Sequence, residues 1–134
     1  MRGVDRVLDA YGLLAYFQGE AGEQTMIEVF QSAKSSGHAL FLSTVNWGEV
    51  FYSTLRTFGR QRAEQIALTI SRLPIDVVPA DLELAQQAAV FKARGRISFA
   101  DCFAAALAKL RNAELITGDK EFKQLEGEVK ILWI

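Results

Sequence analysis

The sequence predicts an α/β fold with a central, mostly parallel sheet of about five strands and helices on both faces. Short apolar runs of strand length alternate with segments whose apolar residues recur at helical spacing. The strand-like runs are apolar almost throughout, which is typical of strands buried on both faces of a parallel sheet. Half of the 134 residues are apolar, which is enough for the core of one domain over residues 1–134.

The first half of the chain predicts strands and helices in alternation. Leu13, Leu14 and Phe17 share one face of the first helix, Gly37 closes the second, and Ser43 or Thr44 is suited to cap the third. The predicted strands are residues 6–8 and 38–42, and the predicted helices are residues 10–17, 23–36 and 45–58.

Prolines and caps mark the elements of the second half. Pro74 ends a helix and, with Pro79, bounds a strand, whereas Asp81 and Ser98 each stand where a helix cap is expected. The predicted helices are residues 60–73, 82–94 and 99–112, with a short helix after residue 119. The predicted strands are residues 75–78, 115–117 and 129–134.

Composition limits the class of protein. The single Cys102 cannot form an internal disulfide, which indicates a reducing compartment, so we expect a cytoplasmic protein. No apolar stretch approaches the roughly 17 to 25 residues of a membrane-spanning helix. The net charge of −1 argues against a domain held on nucleic acid by its bulk positive field.

Several catalytic chemistries lack their residues. His38 is the only histidine, which excludes a histidine-pair ribonuclease and a histidine-based zinc site. No G-x-S-x-G, P-loop or G-x-G-x-x-G motif occurs. Cys102 stands in a helix of alanines, where a small buried side chain is favoured over a nucleophile. Carboxylate chemistry remains.

Four carboxylates stand where a strand gives way to a helix, or just inside that helix: Asp9, Glu49, Asp101 and Asp119. In a parallel sheet the carboxyl ends of the strands open onto one crevice, so acids distant in sequence can converge there. Each acid also has a structural interpretation. Asp9 and Asp119 suit helix caps, Glu49 suits the first turns of a helix, and the segment from Ser98 to Asp101 resembles a capping box.

An all-carboxylate set suits a hard cation. Mg²⁺ and Mn²⁺ take oxygen ligands, and Mg²⁺ combines few carboxylates with waters and substrate phosphate. Such a site hydrolyses phosphodiesters, because the metal polarises the phosphate, activates a water and steadies the leaving oxygen. Two acids alone would instead suit a glycosidase.

The segments around the four acids resemble those of PIN-domain nucleases, in particular toxins of VapC type from prokaryotic toxin–antitoxin modules. The likeness runs from end to end, as a single PIN-like domain over residues 1–134. The matching segments are Val7-Leu8-Asp9-Ala10 with Leu13-Leu14-Ala15-Tyr16-Phe17, Val45-Asn46-Trp47-Gly48-Glu49-Val50, Ser98-Phe99-Ala100-Asp101-Cys102-Phe103-Ala104-Ala105-Ala106 and Ile116-Thr117-Gly118-Asp119-Lys120-Glu121-Phe122. Their order and spacing together are more specific than any one segment.

The resemblance implies a metal-dependent endoribonuclease whose four acids ligate Mg²⁺ or Mn²⁺ and position the attacking water. Thr117 would orient water or a carboxylate, and Asn46 would hold Glu49 from outside the ligand set. The family often has Ser or Thr where this chain has Tyr11, whose hydroxyl would donate into the crevice or whose ring would fill a space between helices. The family also implies a homodimer and a cognate antitoxin whose C-terminal segment covers the acids.

Two further sets of residues bear on partners. Aromatic side chains on the helices exceed what a small core is expected to absorb, so they are candidates for an interface, with ordinary core packing as the alternative: Tyr16, Phe17, Trp47, Phe51, Tyr52 and Phe58. Basic residues are candidates for RNA phosphate contacts, with solvated helix faces as the alternative: Arg56, Arg60, Lys92, Arg94 and Arg96.

Two other functions compete with the nuclease. The first is a non-catalytic module of the same fold that binds RNA or protein, which the presence of all four acids disfavours. The second is a receiver domain for phosphotransfer, which also gathers acids around Mg²⁺ at strand ends. A receiver domain needs an acidic pair near the first strand, and Asp5 precedes that strand.

Overall fold

The computed structural model describes residues 4–134, which form five β-strands, six α-helices and one 3₁₀-helix. The strands are β1 (Arg6–Leu8), β2 (Leu40–Ser43), β3 (Asp76–Val78), β4 (Glu114–Thr117) and β5 (Ile131–Trp133). The α-helices are α1 (Ala10–Gln18), α2 (Glu23–Ser36), α3 (Thr44–Phe58), α4 (Arg60–Arg72), α5 (Leu82–Arg94) and α6 (Phe99–Arg111). The 3₁₀-helix, Lys120–Leu125, follows β4.

The strands form one parallel sheet in the order β3-β2-β1-β4-β5. Leu8 of the central strand β1 pairs with Leu42 of β2 on one side and with Ile116 of β4 on the other. From the central strand β1, the sheet extends through β2 to β3 on one side and through β4 to β5 on the other. The prediction of a mostly parallel sheet of about five strands with helices on both faces is confirmed.

Strand β2 begins at Leu40, two residues later than predicted. The backbone N–H of Ala39 donates a hydrogen bond of 2.8 Å to Oδ1 of Asp5. That donor is consequently taken by a side chain before the strand ladder starts. The lone His38 is buried just before Ala39, at the amino end of the strand and away from the carboxyl ends.

Alternate residues of each strand supply the two core layers. Val7, Phe41 and Leu115 pack with α5 and α6 on one face. Leu8, Leu42 and Ile116 pack with α1, α2 and α4 on the other. This alternation follows from the two-residue period of a strand, and it explains why the strands are apolar on both faces.

Helix α6 is buried from Asp101 to Ala108. Its alanines are small enough to bring the helix close to the sheet, where it contacts β1, β2 and β4. Cys102 lies in this buried stretch and is a free thiol. No helix within the described residues is long and apolar enough to cross a membrane.

Candidate metal centre

Asp9 stands directly after β1, at the start of α1, and is only 1% exposed. Its Oδ1 caps the helix by accepting a hydrogen bond of 3.0 Å from the backbone N–H of Gly12. Burial raises the pKa of Asp9 to about 7, although the hydrogen bonds from Thr117 and Gly12 oppose the rise. The nearby charges of Asp101 and Glu49 add to it. Asp9 therefore caps α1 as predicted and also lies near two other acids.

Thr117, the last residue of β4, joins two of the acids. Its buried hydroxyl donates a hydrogen bond of 2.6 Å to Oδ2 of Asp9. The Thr117 hydroxyl oxygen also accepts a hydrogen bond of 3.0 Å from the backbone N–H of Asp119. Because β1 and β4 are neighbours, this hydroxyl fixes the start of α1 against the turn after β4.

Asp101 occupies the first turn of α6 and is 8% exposed. The Ser98 hydroxyl caps the helix by accepting a hydrogen bond of 3.2 Å from the backbone N–H of Asp101. Burial raises the pKa of the Asp101 carboxyl to about 7, and the charges of Asp119, Glu49 and Glu121 raise it further. The hydroxyl-to-backbone half of the predicted capping box is thus present, and the carboxyl group lies among other acids.

The tightest group of acids consists of Asp101, Asp119 and Glu121. One carboxylate oxygen from each lies within 4.8 Å of the others. Asp119 caps the 3₁₀-helix, because its Oδ1 accepts a hydrogen bond of 3.0 Å from the backbone N–H of Glu121. The sequence analysis did not identify Glu121 as a site residue. Its position two residues after Asp119, at the start of a short helix, could have indicated that it lies near the other acids.

Glu49 lies on α3, half-buried, and one of its carboxylate oxygens, Oε1, is buried without a hydrogen-bond partner among the described residues. Burial is the main cause of its raised pKa, and the charge of Asp119 contributes. The Asn46 side chain lies one turn earlier, close enough to lower that pKa. Asn46 is fully buried and donates a hydrogen bond of 3.0 Å from Nδ2 to the carbonyl of Ala100. It thereby ties α3 to the first turn of α6.

Gln124 joins the loop before α6 to the 3₁₀-helix. Its Oε1 accepts a hydrogen bond of 3.2 Å from the backbone N–H of Arg96. Its Nε2 donates a hydrogen bond of 3.0 Å to the carbonyl of Glu121. A Cβ on Gly95 would lie 2.7 Å from this Oε1, so the glycine leaves the room that the side chain occupies.

The arrangement fits a divalent cation. The charges of Asp101 and Glu49 raise the pKa of Asp9, and the charge of Asp119 raises the pKa values of Glu49 and Asp101, so the four acids predicted from the sequence lie near one another. Buried carboxylates that repel one another favour bound protons or a bound cation. The ligand atoms on offer are all oxygens, the type that Mg²⁺ and Mn²⁺ prefer.

Tyr11 lies at the rim of the crevice and is 42% exposed, so it is not a filler between helices. Its ring rests against Gly118, where a Cβ would lie 2.3 Å from Cε1 and 2.6 Å from Cζ. Gly118 links Thr117 to Asp119. The ring therefore covers the backbone between two residues of the site.

Three of the five basic residues proposed for RNA contact have partners within the chain. Arg94 pairs with Glu128 at 2.7 Å, Arg60 pairs with Glu64 at 3.1 Å, and Lys92 donates to the carbonyl of Ile97 at 2.8 Å. The Arg56 guanidinium lies 5.8 Å from the centre of the Tyr52 ring. The side chain of Arg96 is exposed. Phosphate contact by any of these residues stays a prediction.

Comparisons place the chain among known proteins. A family model described as the PIN domain matches residues 6–128. No curated protein matches the chain in sequence.

Solved structures resemble the fold over nearly its whole length. A DNA-bound VapBC from Salmonella typhimurium shares 15% identity at a TM-score of 0.79, covering 97% of this chain and 98% of the other. VapBC2 from Rickettsia felis, bound to a promoter DNA fragment, shares 12% identity at a TM-score of 0.76, covering 95% and 96%. VapC20 from Mycobacterium tuberculosis, a toxin that cleaves the sarcin–ricin loop, shares 19% identity at a TM-score of 0.75, covering 94% and 98%.

Proposed function

Because the chain belongs to the PIN domain family, we propose that it is a metal-dependent endoribonuclease that hydrolyses RNA phosphodiester bonds. The observation that carries this proposal is the meeting of Asp9, Glu49, Asp101 and Asp119 at the carboxyl edge of the sheet. These acids come from separate stretches of the chain.

We assign Asp9, Glu49, Asp101 and Asp119 as the residues that would hold Mg²⁺ or Mn²⁺. A bound ion of this kind supplies Lewis-acid polarisation of a phosphoryl oxygen and acidifies an attacking water. The residues around the ligands hold them in place. Thr117 fixes Asp9 by its 2.6 Å hydrogen bond, and Asn46 fixes the helix that carries Glu49 against Ala100.

The carboxylates also act on the substrate side of the centre. An ionised carboxylate accepts a hydrogen bond from the attacking water and orients its lone pair toward phosphorus. Glu121 is exposed and Asp119 is partly exposed, whereas Asp9 and Asp101 are buried. We therefore expect water and phosphate to approach from the side of Asp119 and Glu121.

We propose RNA phosphate contacts at Arg96 first, because its side chain is exposed in the loop before α6. Four other basic residues are weaker candidates for phosphate contact, because each would have to leave or share a contact within the chain: Arg56, Arg60, Lys92 and Arg94. Replacing a phosphate-contacting arginine reduces the salt dependence of RNA binding.

We propose that the protein acts as the toxin of a toxin–antitoxin pair, as a homodimer in the cytoplasm, with an antitoxin that covers the acids. The support is the fold shared with toxin–antitoxin complexes from several bacteria. Tyr52 and Phe58, at 50% and 55% exposure, are apolar surface that such partners would bury.

The experiment that tests the nuclease proposal is cleavage of total cellular RNA by the purified protein, with Mn²⁺ present or chelated by EDTA. Cleavage should need Mn²⁺ and should leave 5′-phosphate and 3′-hydroxyl ends, which a metal-activated water produces and a histidine-type ribonuclease contaminant does not. Asp9→Asn and Asp101→Asn should abolish it. Asp81→Asn, which alters a helix cap on α5, is the matched control and should cleave normally.

Cleavage that survives both site substitutions, or survives EDTA, would refute the assignment. Metal-independent RNA binding without cleavage would favour the non-catalytic module.

A further inference from the structure

Tyr11 is an exposed aromatic residue close to two of the acids. Tyr11 is the second residue of α1, two residues after Asp9, and its ring rests on Gly118, one residue before Asp119. It lies within two residues of an acid on each of the two segments that it touches. Its side chain has no hydrogen-bond partner among residues 4–134, so neither its exposure nor its position is explained by an internal bond.

Gly118 is what permits this placement. Any Cβ at that position would overlap the ring, with the nearest approach 2.3 Å to Cε1. The backbone of Gly118 needs no glycine for its own conformation, because it is absent from the residues with positive φ. The absence of a side chain at Gly118 therefore leaves the space that the Tyr11 ring occupies.

An exposed ring held against the backbone is suited to stack on a flat partner. Nucleobases are the flat groups of the RNA that the proposed function places in this crevice, and base–aromatic stacking contributes about 1 to 3 kcal/mol per base. Such stacking also requires single-stranded RNA, because paired bases keep their faces covered.

We propose that Tyr11 forms a nucleobase-binding subsite at the rim of the metal centre, where it stacks on an unpaired base next to the scissile phosphate. The inference rests on the proposed ribonuclease function. It names the substrate as single-stranded or looped RNA, and it makes Tyr11 a substrate contact rather than a support for the acids.

The test measures binding of a fluorescein-labelled single-stranded oligoribonucleotide of mixed sequence by anisotropy. Asp101→Asn is present in every protein to prevent turnover. Tyr11→Phe keeps the ring and should bind as the parent does. Tyr11→Leu removes the ring, and Gly118→Ala displaces it without changing it, so both should bind about 5- to 150-fold more weakly. Leu110→Ala is the control, because Leu110 is 41% exposed near the end of α6 that lies away from Asp101, and it should bind normally.

A second oligomer of the same length with abasic residues throughout separates base stacking from phosphate contact. The parent should prefer the RNA with bases, and Tyr11→Leu should lose most of that preference. Equal binding by parent and Tyr11→Leu would overturn the inference, as would an equal loss with the abasic oligomer. A loss in Tyr11→Phe as large as that in Tyr11→Leu would assign the hydroxyl, and not the ring, as the contact.

The two proposals fail in different ways. Mn²⁺-dependent cleavage by the wild type that Tyr11→Leu leaves unchanged in rate and cut positions would overturn only the subsite. Absence of cleavage would overturn the nuclease assignment.

Discussion

The hydroxyl of Thr117 donates a hydrogen bond of 2.6 Å to Oδ2 of Asp9, across 108 residues of chain. The same hydroxyl accepts from the backbone of Asp119. One small side chain therefore sets the distance between the acid after β1 and the acid after β4. Both of its bonds are lost when the hydroxyl is removed.

Thr117→Val should lower the free energy of unfolding by about 1 to 3 kcal/mol, because it leaves a buried carboxylate oxygen and a backbone N–H without partners. It should also slow RNA cleavage, since Asp9 and Asp119 lose their common anchor. Thr117→Ser should retain most of both properties. Urea unfolding and an RNA cleavage assay measure the two effects.

Thr54→Val is the matched control for this substitution. Thr54 is also fully buried, but its hydroxyl donates only to the carbonyl of Val50 in its own helix. It should affect stability without a specific loss of cleavage per folded molecule. Equal loss of cleavage in Thr117→Val and Thr54→Val would show that the Thr117 bond has no special role.

Mn²⁺ or Mg²⁺ should raise the melting temperature of the wild type, because the ion relieves repulsion among the acids and binds only the folded state. Asp101→Asn should reduce this shift, since it removes a ligand from the group formed with Asp119 and Glu121. Thermal denaturation with metal or EDTA gives the measurement. Identical shifts in wild type and variant would count against the site.

The metal-free protein should lose stability as the pH rises. Burial raises the pKa values of Asp9 and Asp101 from 3.8 to about 7 in the folded chain. Each group thus holds its proton more tightly when folded, so its contribution is fully present below the unfolded pKa and is lost as the pH passes the folded one.

Denaturation in EDTA at about pH 5 and about pH 8 checks this direction. Asp101→Asn cannot ionise at that position, so its stability should fall less over the same interval. A wild-type stability that rises from about pH 5 to about pH 8 would contradict the raised pKa values.

Gln124→Leu should weaken Mn²⁺ binding by about tenfold, the effect typical of losing a group that positions ligands. The side chain joins the loop at Arg96 to the carbonyl of Glu121, so its loss frees the 3₁₀-helix from the loop before α6. Calorimetric titration with Mn²⁺ gives the affinity. Gln86→Leu, on the exposed face of α5, is the control and should bind Mn²⁺ normally.

The fold was predictable from the sequence because each element carries its own local signal. Asp81 and Ser98 cap α5 and α6 as expected from their residue types. The boundaries that moved depend on tertiary contacts. β2 starts late because Asp5, distant in sequence, takes the N–H of Ala39, and no pattern within residues 38–42 indicates that bond.

Asp9 and Asp119 could be singled out in the sequence because each closely follows an apolar strand, whereas Glu49 and Asp101 lie inside helices, where the strand pattern gives no signal. The role of the four acids as metal ligands stays a prediction. Of the residues beside the acids, Thr117 and Asn46 were identified from the sequence, but Glu121 and Gln124 were not. Glu121 and Gln124 lie on a short 3₁₀-helix whose hydrophobic period is too brief to show which side chains face α6. The contact of Tyr11 with Gly118 joins residues 107 positions apart in the sequence, and only the pairing of β1 with β4 brings them together.

The position of β4 beside β1 also sets the order in which the group of acids can form during synthesis. A nascent chain that has left the ribosome only as far as α6 carries Asp9, Glu49 and Asp101 but neither Thr117 nor the acids of the 3₁₀-helix. Asp9 then lacks the hydroxyl that anchors it. The complete group of acids can therefore form only after the chain through the 3₁₀-helix has left the ribosome.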